Sequence, residues 1–69
     1  MSYRWSVPII RVEMWEGRSI DQKRRIAREL SDALVRIIDC DPTAVRVVIS
    51  DYSRENWGVG GVLQVDAED

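Results

Sequence analysis

Pro8-Ile9-Ile10-Arg11-Val12-Glu13-Met14-Trp15-Glu16-Gly17-Arg18-Ser19-Ile20-Asp21-Gln22 holds a strand, a turn and a helix start in one short run. From Ile9 to Trp15 the residues alternate. Ile10, Val12 and Met14 fall on one side, Arg11 and Glu13 on the other, the period of two of a half-buried strand. Glu16-Gly17-Arg18 breaks that period, and Gly17 permits a turn that a β-branched residue would resist. Ser19 to Gln22 then reads as a capping box, in which each side chain takes up the other's free backbone N–H.

Beyond it, Ile26, Leu30, Ala33, Leu34, Ile37 and Ile38 keep helical spacing, with Lys23, Arg24, Arg28, Glu29 and Asp32 around them. Pro42 disfavours helical geometry at the residue before it, so the helix is expected to end over Asp39-Cys40-Asp41. Ala44 to Ser50, rich in valine, predicts a second strand. A polar loop, Asp51 to Asn56, leads to Trp57-Gly58-Val59-Gly60-Gly61 and then to the apolar Val62-Leu63-Gln64-Val65. A strand, a helix and a strand joined in this way imply an α/β unit, a parallel pair with the helix on one face. Such a unit leaves its other sheet face and both edges open, and is marginal alone.

Size leads to the same expectation. At 69 residues the chain is small for a self-sufficient core. Cys40 has no cysteine partner, there is no histidine, and no zinc pattern can be drawn. Oligomerisation is the remaining support. Ten basic and twelve acidic residues give a net charge of −2, which does not suggest a nucleic-acid partner; Lys23-Arg24-Arg25 with Arg28 reads as a solvated helix face. No segment is apolar enough for a membrane span, and Met1 to Val7 lacks the core of a secretory signal. The expectation is a cytoplasmic, reduced protein in which Cys40 is a small semi-buried hydrophobe.

Two features stand out chemically. Arg46, flanked by Val45 and Val47, is read as sitting within an apolar strand. Its guanidinium would meet an anion, either a carboxylate of a neighbouring subunit or a substrate carboxylate held bidentately. Trp57-Gly58-Val59-Gly60-Gly61 joins a large apolar wall to a tightly turning backbone, as in a hairpin packed on a neighbour. Its spacing is that of no phosphate loop. Arg18 by itself reads as a surface charge at a turn, or as an anion clamp.

Taken together, Pro8-Ile9, Glu16-Gly17-Arg18-Ser19, Gln22-Lys23, Val45-Arg46-Val47 and Gly58-Val59-Gly60-Gly61 resemble the 4-oxalocrotonate tautomerase family, without gaps from Pro8 to about Leu63. The resemblance implies a β-α-β fold with a carboxy-terminal hairpin. It also implies sheets paired between subunits, a homo-oligomer that is a hexamer of three dimers, and sites drawn from more than one subunit. It implies no metal and no cofactor. On the matching positions, Pro8 is the catalytic base, Arg18 and Arg46 bind and polarise a dicarboxylate enol, and Trp57 walls the site. Trp57 stands where phenylalanine is usual, and Trp15 is bulkier than the leucine typical there, so the pocket is expected to be narrowed or reshaped.

Met1 to Val7 reads as an extension ahead of a domain spanning residues 8–69. A base at Pro8 needs a free amine, and a proline preceded by another residue has none. Either translation starts at position 7, with Val7 read as an initiator methionine that is later removed, or the extension is retained and Tyr3 and Trp5 pack near the pocket mouth. The leading expectation is an enol–keto tautomerase acting on a small unsaturated 2-hydroxy or 2-oxo (di)carboxylate. The alternative is a non-catalytic, anion-binding or structural subunit of the same fold. A generic assembly module comes last, because it leaves both arginines unexplained.

Overall fold

The computed structural model describes residues 7–67, so the expected packing of Tyr3 and Trp5 lies outside the described residues. Strand β1 (Ile9–Trp15) leads to helix α1 (Ile20–Ile38), a 3-10 turn over Pro42–Ala44 and strand β2 (Arg46–Tyr52). A second 3-10 turn, Arg54–Asn56, precedes the short strands β3 (Gly58–Val59) and β4 (Val62–Leu63). β1 and β2 run parallel, with Ile9 level with Arg46 and Trp15 level with Tyr52. β3 and β4 form an antiparallel hairpin, closed by Gly60 and Gly61 at φ of 61° and 86°. Positive φ at both turn residues is what a tight hairpin needs and what glycine supplies without strain. The β-α-β order and the hairpin are as the sequence implies.

The helix starts where the capping box is read. Ser19 N–H donates to Gln22 Oε1 at 2.9 Å, and Gln22 N–H donates to Ser19 Oγ at 3.1 Å. Asp39 ends it in a left-handed conformation, φ 54°, its N–H donating to the Val35 carbonyl. Alternation and register place Ile10, Val12 and Met14 beside Val47 and Ile49 on the face toward α1, all of them half-buried. An ion pair between Lys23 on α1 and Asp51 on β2 ties the helix to that face. The opposite face carries Ile9, Arg11, Glu13 and Trp15 beside Arg46, Val48, Ser50 and Tyr52.

The second strand differs from the expectation. It begins at Arg46 rather than Ala44 and extends through Asp51 and Tyr52, which the sequence places in a loop. The cause is local. Asp41 Oδ1 accepts from the Thr43 N–H at 2.9 Å and from its hydroxyl at 2.8 Å, winding Pro42–Ala44 into a turn before any strand can form. Arg46 therefore opens the strand instead of standing inside it, and in the single chain it is exposed.

Little is buried. Cys40, at 5 % exposure, is the one buried residue among those described, so it is more deeply placed than expected. The apolar stripe of α1 is only partly covered: Ile37 is 76 % exposed and Ile38 48 %. Among the described residues no helix is long and apolar enough to cross a membrane.

Candidate active site

The start of β1 holds the first group of site residues. The Pro8 carbonyl accepts the Arg46 N–H at 3.0 Å, which fixes the proline against the start of β2. The nitrogen of Pro8 is bonded to Val7 in the full chain, so there it is an amide with no proton to exchange. Arg46 Nη1 donates to the Thr43 carbonyl at 3.0 Å. The turn that Asp41 caps thus also steadies the guanidinium, and the remaining donors of its fork can receive an anion. The Asp41 carboxyl is itself held below its usual range, chiefly by the Thr43 backbone N–H and next by the Thr43 hydroxyl.

The far end of the sheet holds an aromatic cluster. Trp15 and Trp57 meet edge to face with ring centroids 6.1 Å apart, and Tyr52 packs on Trp57 at 5.6 Å. The Arg54 guanidinium lies 4.8 Å above the Trp15 ring, within cation–π range. Trp15 Nε1 is buried and has no hydrogen-bond partner among the described residues. Arg18 stands on the other side of the sheet. It follows Gly17, whose φ of 115° makes the bend, and it precedes the helix cap. It is exposed, with no hydrogen bond or ion pair among the described residues. With Val12, Ile26 and Leu30 it lines an open groove of about 440 Å³, beside the Arg25–Glu29 ion pair at 2.8 Å. That pairing, first through the hydrogen bond from Arg25, also holds the Glu29 carboxyl below its usual range.

The structure brings Pro8 to Arg46 and Trp15 to Trp57, but it does not bring these pairs together. Pro8 and Trp15 lie at opposite ends of an extended strand, about 23 Å apart at ~3.3 Å per residue. No small substrate touches both within one chain. Sequence reasoning missed Tyr52 and Arg54 as members of the aromatic cluster. Tyr52 could have been found from the register, since it falls level with Trp15 once β2 is started at Arg46. Arg54 carries no such signal, because it reaches Trp15 only through the turn that follows β2.

The sequence profile of the tautomerase enzyme family matches residues 8–67. This chain belongs to the tautomerase family. It is 40 % identical over 57 residues to a 2-hydroxymuconate tautomerase of Pseudomonas putida, covering 83 % of this chain and 90 % of that one. The fold of a 4-oxalocrotonate tautomerase homologue superposes with a TM-score of 0.80 at 33 % identity, over 88 % of this chain and 97 % of the other. A heterohexameric 4-oxalocrotonate tautomerase from Chloroflexus aurantiacus J-10-fl gives 0.79 at 34 % identity, over 88 % and 98 %. The match begins at Pro8, so in this tautomerase-family chain Met1 to Val7 precede the family's own extent.

Proposed function

We propose that this tautomerase-family protein interconverts the enol and keto forms of a small unsaturated 2-hydroxy or 2-oxo dicarboxylate, with Pro8 as the proton carrier once it is the free amino terminus. The observation that carries the reading is the seating of Pro8 against Arg46 at the start of the sheet. An α-amine ordinarily titrates near 8. Apolar aromatic walls and nearby guanidinium groups disfavour its protonated form and draw that value toward neutral pH. The neutral amine takes the enol hydroxyl proton, the electron pair moves through the conjugated chain, and the ammonium returns the proton to carbon. No redox partner is needed, and such a base contributes about 10²–10⁴-fold. Arg46 stabilises charge that builds on the oxygens at the reacting end. Arg18, which has no partner among the described residues, holds the distant carboxylate, while Trp57 and Trp15 keep water from the site. The 23 Å between the two ends of β1 supports a site assembled from more than one chain, on a homo-oligomer read as a hexamer.

The test is ketonisation of 2-hydroxymuconate by the full chain and by protein beginning at Pro8. Turnover only in the shortened protein is the expected result. The Val7–Pro8 peptide bond favours a second reading, a non-catalytic anion-binding subunit. Absence of turnover in both forms, with retained binding of a dicarboxylate, would establish that reading instead.

A further inference from the structure

Arg54 is placed differently from Arg18 and Arg46. Those two are exposed, whereas Arg54 is half-buried and its guanidinium lies 4.8 Å over the Trp15 ring. Its backbone is fixed from two sides. Ser53 Oγ accepts the Glu55 N–H at 3.1 Å and the Ser53 carbonyl accepts the Asn56 N–H at 2.8 Å, which winds the turn Arg54–Asn56. The Arg54 carbonyl accepts the Val65 N–H at 3.1 Å, and the Trp57 carbonyl accepts the Gln64 N–H at 2.8 Å. One short stretch after the hairpin therefore clasps both residues whose side chains meet the Trp15 ring.

The ring itself has no such anchor. Its Nε1–H is without a hydrogen-bond partner among the described residues. Among those residues two contacts orient the indole, the perpendicular one with Trp57, at 87° between planes, and the guanidinium over its face. Indole attracts a cation to its face more strongly than the other aromatic rings do, and more so when the pair is partly withdrawn from water. We propose that Arg54 is a positioning residue for specificity: it holds Trp15 at a right angle to Trp57, and the corner so formed selects flat, conjugated diacids over flexible saturated ones.

The selection rests on the function proposed above; the positioning of the ring does not. A conjugated diacid is planar and lies against an aromatic wall with its π face in contact. A saturated diacid of equal length and charge has to give up many conformers to do the same. A wall that has swung out of place gives the flat molecule no advantage. Arg54 thus acts on shape rather than on charge. Loss of a simple anion-binding charge weakens both diacids alike, and loss of the wall weakens only the preference between them.

The test reads ring geometry and selectivity separately. Circular dichroism follows the exciton couplet of the Trp15–Trp57 pair in the full chain, with Trp15→Phe giving the level at which the pair is absent. Calorimetric titration with trans,trans-muconate and with adipate, neither of which has a hydroxyl to ketonise, gives the preference for the flat diacid. It is run on the full chain and on protein beginning at Pro8. Arg54→Gln is expected to lower the couplet toward the Trp15→Phe level and to cut the preference for muconate by about threefold to tenfold, with adipate binding little changed. Arg54→Lys, which keeps a cation on a long stem, should retain most of both. An unchanged couplet in Arg54→Gln would overturn the positioning, and so would a lysine variant as impaired as the glutamine one. A lowered couplet with an unchanged preference would overturn the selection, and equal weakening of both diacids would make Arg54 an anion binder instead. A native protein that binds neither diacid in either form would overturn the selection together with the proposed function, while the couplet still decides whether Arg54 sets the ring.

Discussion

Trp15 carries an indole N–H that the single chain buries without an acceptor, although its ring is in contact with Trp57 and Arg54. A buried unpaired donor costs about 1–3 kcal/mol, so nothing in the described structure repays that group with stability. Trp15→Phe keeps an aromatic ring against Trp57 and deletes the donor. Thermal unfolding is expected to show a Tm equal to or above that of the native protein, while KM for a dicarboxylate enol rises if the indole N–H receives a substrate oxygen. A clear fall in Tm would instead show that assembly supplies the missing acceptor. At this scale the sequence was informative where a residue's role depends on type. Arg46 is singled out by charge set between two valines, whereas Arg18 gains its role only from the family resemblance. The Trp15 contacts depend on distant loop geometry and were not legible.

Helix and strand boundaries are decided by a few polar side chains, and Asp41 is the most consequential of them. Its bonds to Thr43 wind the turn that delays β2, and the Thr43 carbonyl in turn receives Arg46. The folded carboxyl titrates below the 3.8 of an ordinary aspartate. Its contribution is therefore fully present above that ordinary value and is lost as pH falls through the lower, folded one. Asp41→Asn retains an acceptor that cannot titrate. The native protein should have the higher Tm near neutral pH, and the two should converge as the pH falls through the lowered, folded value. A gap that persists in acid would mean that the carboxylate's charge is not what holds the turn. β1 and the start of α1 were readable because alternation and a capping box are local patterns, and both appear at the residues that carry them. The start of β2 was not. The valines and isoleucine from Val45 to Ile49 announce a strand, but a side chain just upstream settles where it begins.

The whole molecule is a surface more than a core. Ile37, Ile20 and Ile9 are each more than half exposed, and the stripe of α1 and the distal face of the sheet are only partly covered in one chain. Among residues 7–67 only Cys40 is buried, and a chain this small ordinarily draws support from beyond its own core. The residues proposed for the site are divided as well, with Pro8 and Arg46 at one end of the strand and Trp15 and Trp57 at the other. A sequence can show which side chains a proposed site would use, but not that Pro8 and Trp15 stand a strand's length apart, because that fact lives in the length of β1. If association completes the fold, folding and association share one equilibrium, and stability depends on concentration by mass action. Calorimetry over a hundredfold range of protein concentration is expected to show Tm climbing steadily as the protein is concentrated, by several degrees overall. A Tm that stays constant across that range, at concentrations where light scattering sees dissociation, would show that each chain holds its own fold and that the uncovered apolar surface serves some other contact.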